Sequence, residues 1–195
     1  MATRRLTQRG RDRRRQLMDF AARRFAEGGY DPTSVTEIVT GLGVGKGVFY
    51  WYFPSKEALL AEILREAQHD LRRRQAEAIA GRADPVHRIE AGIRASMRWF
   101  AGNRHLVTLF QFAASDERFA PLVRRGQEVA VGDLVRHVKE AVVAGRVRDE
   151  DPLLLAHAVL GVATHLARTF VHERGEDPDA VADAAVAFCL GGLGA

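Results

Sequence analysis

Two short helical patterns separated by a glycine turn lie between Ser34 and Pro54, and this stretch constrains the fold more than any other. The first pattern has the i, i+3, i+4, i+7 spacing of an amphipathic helix, set by Val35, Ile38, Val39 and Leu42. Ser34 can cap this helix, and Glu37 three residues later completes a capping box. Gly43 permits the tight turn that follows. Pro54 ends the second pattern, because the residue before a proline avoids the helical region.

The second pattern contains five consecutive aromatic residues, Phe49 to Phe53, of the 15 aromatics in the chain. A strand would alternate these residues between two faces, but no partner strand pattern lies nearby and helix caps flank the segment. In a helix, Phe49 and Phe53 are i, i+4 neighbours that share a face. We therefore predict a short helix from Lys46 to Phe53, with these two rings in a small core.

The rest of the chain also has helical periodicity, which predicts an all-α fold of about nine helices. A first helix carries a stripe of apolar residues and ends at Gly28-Gly29. Ser55 caps a long fourth helix. Later helices begin at Pro85 and at two Asp-Pro pairs, which are typical helix starts. Three helices with a glycine turn between the second and third form a helix-turn-helix arrangement.

The formal net charge of +4 conceals a gradient along the chain. Residues 1–60 carry 11 Lys/Arg and 6 Asp/Glu, whereas residues 143–195 carry 4 and 8. A basic start and an acidic end suggest that one end meets a polyanion. Seven of the first fifteen residues are Arg, which suits a flexible basic arm over residues 1–10, although a solvated tail without a role is the alternative.

The composition also indicates where the protein works. Its single cysteine, Cys189, excludes an intrachain disulfide and a cysteine metal cluster, and no metal site is expected. No apolar run approaches the ~18 residues of a membrane span, so no membrane partner is expected. The polar start is unlike a signal peptide. We expect a cytoplasmic protein in a reducing setting.

The stretch TSVTEIVTGLGVGKGVFYWYFPSKEALL resembles the DNA-binding segment of TetR/AcrR-type transcriptional regulators. The resemblance covers about 45 residues, Arg13 to Leu60, and rests on the whole combination of motifs. Two positions depart from the family pattern: Gly45 lacks a capping hydroxyl, and Val39 replaces a usual alanine. The resemblance implies a helix-turn-helix DNA-binding domain over residues 1–55 and a helical ligand-binding and dimerisation domain over 56–195.

The resemblance also implies that Lys46 to Tyr52 is a recognition helix lying in the major groove of double-stranded operator DNA. Lys46 would reach a base or a phosphate, Val48 and Trp51 would offer apolar contacts to bases, and Trp51 equally suits packing. The full set of expected DNA-binding residues is Ser34, Thr36, Lys46, Gly47, Val48, Tyr50, Trp51, Tyr52 and Lys56.

The last two helices are apolar nearly all round, which predicts that they pair with the same helices of a second subunit in a homodimer. Polar residues on apolar stretches suggest a ligand pocket with aromatic walls, although hydrogen bonds at the dimer interface explain the polar residues equally well. The candidate pocket residues are Trp99, Phe100, Phe110, Phe112, Phe119, His157, Thr164, His165 and Arg168.

These features together predict a DNA-binding transcriptional regulator, most often a repressor in the family it resembles. A small hydrophobic ligand would release it from its operator by moving the fourth helix, with Arg168 anchoring an anionic group. No catalytic residues and no cofactor are expected. The alternative is a helical enzyme or binding protein for acyl or aromatic compounds, in which the aromatic helix would serve only as core.

Overall fold

In the computed structural model, which describes residues 6–193, the regular structure is entirely helical, as predicted. A π-helical segment, Ala167–Glu173, continues directly from the eighth α-helix. The α-helices are α1 Gln8–Gly28, α2 Val35–Gly41, α3 Lys46–Tyr52, α4 Lys56–Ile79, α5 Pro85–Gly102, α6 Arg104–Ser115, α7 Ala120–Val143, α8 Pro152–Leu166 and α9 Pro178–Leu193.

The helix starts follow the capping residues of the sequence. Ser34 Oγ accepts a hydrogen bond from the Glu37 backbone N–H at 3.1 Å, and Ser55 Oγ accepts one from Ala58 at the same distance. The aspartates before the prolines of α5 and α8 cap those helices in the same way. The predicted capping box is only half formed, because the Glu37 carboxylate bonds Arg24 instead of the Ser34 backbone.

Helix α1 starts earlier than the sequence pattern indicated. Thr7 Oγ1 accepts a hydrogen bond from the Gly10 backbone N–H at 3.2 Å, and the helix begins at Gln8. Residues 8–10 of the predicted flexible arm are therefore helical. Residues 1–5 lie outside the described part of the chain, so the remainder of that prediction stays untested.

A first core holds α1, α2 and α3 together. Phe49 and Phe53 are buried in it, as predicted, together with Phe25 and Ile38, and Phe20 and Leu42 pack against it. The core also includes residues from α4, α6 and the start of α7, among them Leu64 and Leu109. The domain boundary at residue 55 stays a prediction, since this core continues across it.

The α1–α2 loop is tied to the α6–α7 loop by an aromatic cluster. The buried Tyr30 ring lies 5.3 Å from Phe112 and 5.4 Å from Phe119. The Arg118 guanidinium lies over the Tyr30 ring at 5.1 Å and donates a 3.1 Å hydrogen bond to Asp31. Burial raises the pKa of the Tyr30 phenol, which therefore stays protonated at neutral pH. We call Tyr30, Asp31, Phe112, Arg118 and Phe119 the Tyr30 cluster.

A second core, built around α5, unites α5, α7, α8, the π-helical segment and α9. Buried residues on α8, such as Leu155 and Val159, face this core, while Leu153 and Leu154 are exposed. On α9, Phe188 is 68% exposed. The last two helices therefore bury one side and present apolar residues on the other.

The helical stretch Pro152–Glu173 is long and apolar enough to cross a membrane, judged by length and composition alone. This differs from the expectation that no segment approaches that length. The core helix of a soluble protein meets the same criterion, and the inner side of this stretch packs in the second core.

Candidate nucleic-acid interface and ligand cavity

Helix α3 separates its aromatic residues into an inner and an outer side. Phe49 is fully buried and Phe53 nearly so, whereas the side chains of Tyr50 and Trp51 are each 55% exposed. The Trp51 and Tyr52 rings pack edge to face, with centroids 4.5 Å apart. Burial of the two Phe residues thus fixes the helix, and Trp51 remains available on the surface.

Smaller residues of α3 complete the same surface. Lys46 and Gly47 are exposed in the first turn, and a side chain added at Gly47 would meet nothing within 4 Å. Gly45 precedes the helix without a side-chain cap, as the sequence indicated. Val48 and Tyr52 are half-buried and pack against the first core, so they contribute to stability as well as to the surface.

Helix α2 packs against α3, and its start carries two of the expected DNA-binding residues. Ser34 and Thr36 are both exposed there, and the Ser34 hydroxyl oxygen is already engaged as the helix cap. Gly43 turns the chain between the two helices with a φ of 64°, a conformation that glycine adopts without strain.

Lys56, one of the expected DNA-binding residues, has its ammonium group bonded to backbone carbonyls of the protein itself. Its Nζ donates hydrogen bonds to the carbonyl oxygens of Tyr30 at 2.8 Å, Asp31 at 3.1 Å and Thr33 at 3.0 Å. It also lies 4.3 Å from the centre of the Tyr30 ring. An ammonium group has three N–H donors, and all three are used here, which leaves none for a phosphate.

A cavity of about 670 Å³ lies between α4, α5, α7 and α8. Its volume falls within the range of small-molecule sites, and its walls are mainly apolar. The described residues that line it are His69, Arg72, Arg73, Gln75, Ala76, Ile79, Arg88, Ile89, Gly92, Ile93, Ser96, Ala130, Asp133, Leu134, Arg136, His137, Val159, Leu160 and Ala163.

None of the nine pocket residues predicted from the sequence lines this cavity, so their role in ligand binding stays a prediction without support from it. Phe112 and Phe119 belong to the Tyr30 cluster, and Phe110 packs against the first core. Trp99 is buried and donates its indole N–H to Asp70 at 2.9 Å. Phe100 packs against the second core.

The four polar residues expected to line the pocket lie on α8 and on the π-helical segment that continues it, and all four are on the exposed side. His157, Thr164, His165 and Arg168 are all exposed, and Arg168 pairs with Glu173 at 3.2 Å. Periodicity groups residues by face but does not say which face turns inward on a helix that is apolar nearly all round. Three cavity-lining residues that the sequence analysis missed, Arg88, Gly92 and Ser96, recur every four residues on α5. This spacing beside isoleucines is the pattern that could have indicated them.

The polar residues inside the cavity are interconnected. Gln75 Nε2 donates to Ser96 Oγ at 2.8 Å, and Ser96 Oγ donates to a backbone carbonyl of its own helix. Arg88 lies 3.4 Å from His137 Nδ1 and bonds Glu140 at 2.5 Å. Burial and the nearby Arg88 cation lower the pKa of His137, so its imidazole is neutral at pH 7. In residues 6–193, no three His, Cys, Asp or Glu side chains group as metal ligands.

The three-helix head presents an exposed aromatic helix, and α4 joins this head to a domain with a cavity. This arrangement is typical of helix-turn-helix regulators. The family model described as "Bacterial regulatory proteins, tetR family" matches residues 17–63. The HTH-type transcriptional repressor Rv1474c of Mycobacterium tuberculosis is 31% identical over 175 residues, which span 87% of each chain. The chain belongs to the tetR family of bacterial regulatory proteins.

Other relatives agree with this assignment. The HTH-type transcriptional repressor KstR2 of Rhodococcus jostii is 33% identical over 114 residues, and the match spans 56% of either chain. The structure of FadR from Bacillus subtilis in complex with stearoyl-CoA has the same fold, with a TM-score of 0.82 and 22% identity over 92% of this chain and 98% of that one. A helical enzyme without DNA binding is not favoured, because the named relatives are regulators.

Proposed function

We propose that the protein is a transcriptional repressor that binds operator DNA as a homodimer and is released by a small ligand in the α4–α5–α7–α8 cavity. The DNA-binding proposal rests on how α3 places its side chains, some in the core and others on the surface. A buried Phe49 fixes the helix, while Tyr50 and Trp51 are exposed at 55% each beside an exposed Lys46. Large exposed aromatic side chains on a rigid helix mark an interaction surface.

Each exposed residue suits a contact with DNA. Trp51 offers an apolar face to a thymine methyl group, and Lys46 offers a cation to a guanine edge or a phosphate. The hydroxyl groups of Ser34, Thr36 and Tyr50 suit phosphate oxygens, which fix the register of a protein on the duplex. We keep Gly47, Val48 and Tyr52 in the proposed interface and leave Lys56 out, because its donors are used within the protein.

The dimer would form through α8 and α9. Leu153, Leu154 and Phe188 are exposed by half or more on helices whose other side is core. A two-fold axis would bring these residues against their copies and cover them. The apolar stretch Pro152–Glu173 then belongs to a subunit interface, which fits a regulator working in the cytoplasm.

Helix α4 connects the two proposed sites. It has 24 residues and is about 36 Å long at 1.5 Å per residue. Its first half, including Leu59 and Leu64, packs in the first core, and its second half contributes Arg72, Gln75 and Ile79 to the cavity. A ligand that moves α4 would change the spacing of the two recognition helices, which must be near ~34–36 Å for successive major grooves.

The test of DNA binding compares two substitutions of exposed apolar residues. Trp51→Ala should weaken binding to DNA from the region upstream of the protein's own gene by about 1–3 kcal/mol, with no loss of thermal stability. The control, Val143→Ala, changes a residue 81% exposed at the end of α7 and should leave binding unchanged. Fluorescence anisotropy gives the affinities. If Trp51→Ala lowers the melting temperature and leaves operator affinity unchanged, Trp51 is a packing residue.

The dimer is tested by introducing a charge. Phe188→Asp should give monomers in sedimentation velocity and weaken operator binding, because a buried carboxylate without a partner opposes association. Val143→Asp adds the same charge at another exposed apolar position and should stay dimeric. A dimeric Phe188→Asp protein would count against an interface through α9.

A further inference from the structure

The cavity combines apolar walls with an excess of basic residues. Isoleucine, leucine and valine from α5, α7 and α8 form the walls, with Ile89, Leu134 and Val159 among them. Four arginines also line the cavity, against a single carboxylate, Asp133. An uncharged apolar ligand would require no such concentration of arginine, and a cationic ligand would be repelled by it.

Two of the four arginines already have carboxylate partners within the protein. Arg73 pairs with Asp70 and with Glu77, the latter at 2.7 Å, and is about half exposed. Arg136 pairs with Asp133 at 2.9 Å and is mostly exposed. Arg88 also pairs with Glu140 at 2.5 Å, but within residues 6–193 its Nε has no acceptor, so Arg72 and the Arg88 Nε are the donors left for a ligand.

Arg88 is largely enclosed, with a side chain only 19% exposed. One terminal nitrogen bonds Glu140 at 2.5 Å and the Ala83 carbonyl at 3.3 Å, and the other lies 3.4 Å from His137 Nδ1. Its Nε is buried, and within residues 6–193 it has no hydrogen-bond partner. Burying an N–H group without an acceptor destabilises the folded protein. A ligand oxygen that accepts a hydrogen bond from the Arg88 Nε would remove this cost.

His137 adds a second donor. Arginine can only donate, so the Nδ1 atom facing Arg88 must act as the acceptor. The proton of the neutral imidazole therefore lies on Nε2. Within the described residues, Arg72 has neither a carboxylate nor a hydrogen-bond partner, although it lines the cavity and is half-buried. Arg72, Arg88 and His137 are thus all donors, and they match a ligand group that only accepts.

On the basis of the proposed function, we infer that the ligand is an amphipathic organic anion. Its anionic group is held by Arg72 and Arg88, and its hydrocarbon chain lies along the apolar wall of Ile89, Leu134 and Val159. Carboxylate and phosphate groups both match a guanidinium, which binds either with two parallel hydrogen bonds. The shared chemistry therefore covers a free fatty acid and a phosphate-bearing acyl thioester.

The experiment uses the full chain and four probes with the same twelve-carbon chain: dodecanoate, dodecanoyl-CoA, dodecanol and dodecyltrimethylammonium. Calorimetry below the micelle concentration should show dodecanoate or dodecanoyl-CoA binding at least about 10-fold more tightly than dodecanol, since charge-assisted hydrogen bonds are the strong ones. Tighter binding of dodecanoate assigns a carboxylate site, and tighter binding of the thioester assigns a phosphate site. Equal binding of dodecanol, or tighter binding of the cation, overturns the inference.

Variants test the residues. Arg88→Gln should weaken binding of the anion about 10- to 100-fold and leave that of dodecanol unchanged, and Arg88→Lys should restore part of the loss. Arg72→Gln gives a second measurement in case Arg88→Gln folds poorly. Arg125→Gln, on the exposed side of α7, is the control and should bind normally. Unchanged anion binding in both Arg72→Gln and Arg88→Gln overturns the inference.

Measuring DNA binding with the same probes separates this inference from the proposed function. Release of operator DNA by the anions and not by dodecanol supports both. If the anions bind the cavity residues without affecting the DNA complex, the ligand class stands and ligand-controlled release fails. If dodecanol or the cation releases DNA and the anions do not, release stands and the ligand class is wrong.

Discussion

Lys46 and Lys56 flank the aromatic helix symmetrically in the sequence, but the structure predicts opposite effects when each is replaced by methionine. Methionine keeps most of the aliphatic length and removes the charge. Lys56 donates hydrogen bonds to three backbone carbonyls and contacts the Tyr30 ring, whereas Lys46 is the first residue of α3 and is exposed. Lys56→Met should therefore reduce stability, and Lys46→Met should reduce DNA binding.

The magnitude for Lys56 follows from its contacts. The bonds to the half-buried carbonyls of Tyr30 and Thr33 contribute roughly 1 kcal/mol each, and the bond to the exposed Asp31 carbonyl contributes little. The cation–π contact adds about 0.5–1 kcal/mol. The loss of about 2–3 kcal/mol corresponds to a fall in melting temperature of about 5–10 °C for a chain of this size.

Calorimetry and salt-dependent DNA binding distinguish the two lysines. Lys46→Met should melt within about 2 °C of the wild type, because a surface substitution changes stability little. If Lys46 contacts a phosphate, the slope of log K against log salt should become shallower by about 0.9. A Lys56→Met protein that melts like the wild type but loses salt dependence would refute the structural role and restore the phosphate contact.

Two further predictions concern packing and protonation. A Cβ at Gly41 would overlap the end of the Phe20 ring, so Gly41→Ala should destabilise the protein by about 1–2 kcal/mol in urea unfolding. At Gly132, in the open middle of α7, the same change should stabilise it by about 0.5–1 kcal/mol, and a stable Gly41→Ala protein would contradict the close contact. Burial lowers the pKa of three histidines from the ordinary 6.5: His105, His137 and His172. These histidines bind protons more readily in the unfolded chain than in the folded protein. Their contribution to the free energy of unfolding is therefore fully present above pH 6.5 and is lost on acidification, so the urea midpoint should be lower at pH 5.5 than at pH 7.5. A midpoint that is unchanged over this interval would contradict the burial of these rings.

Local signals explain why the head of the protein could be predicted from the sequence. Ser34 and Ser55 bond the backbone N–H groups three residues on, as their positions before apolar periods indicated. Phe49 and Phe53 are buried because i, i+4 spacing in a helix leaves them one common side. Each of these features depends on residues fewer than five positions apart, which is the range over which sequence patterns are informative.

The cavity could not be predicted in this way, because it depends on contacts between distant helices. Arg88 and His137 are 49 residues apart and meet only after α5 packs against α7. Of the aromatic residues expected in the pocket, Phe112 and Phe119 instead pack against Tyr30, a residue more than 80 positions earlier in the chain. The role of Lys56 was hidden for the same reason, since its acceptors lie more than twenty residues earlier in the chain.

The Tyr30 cluster has a mechanical consequence for signalling between the cavity and the recognition helix. The head, formed by α1 to α3, is attached to the rest of the protein at α4. A second attachment is made through Arg118, Phe112 and Phe119 at the α6–α7 corner. A domain attached at two separated points cannot rotate about one of them while the other contact is kept. We therefore expect α6 to move together with the head when a ligand binds. The change in angle would then occur where α6 and the second half of α4 contact α5.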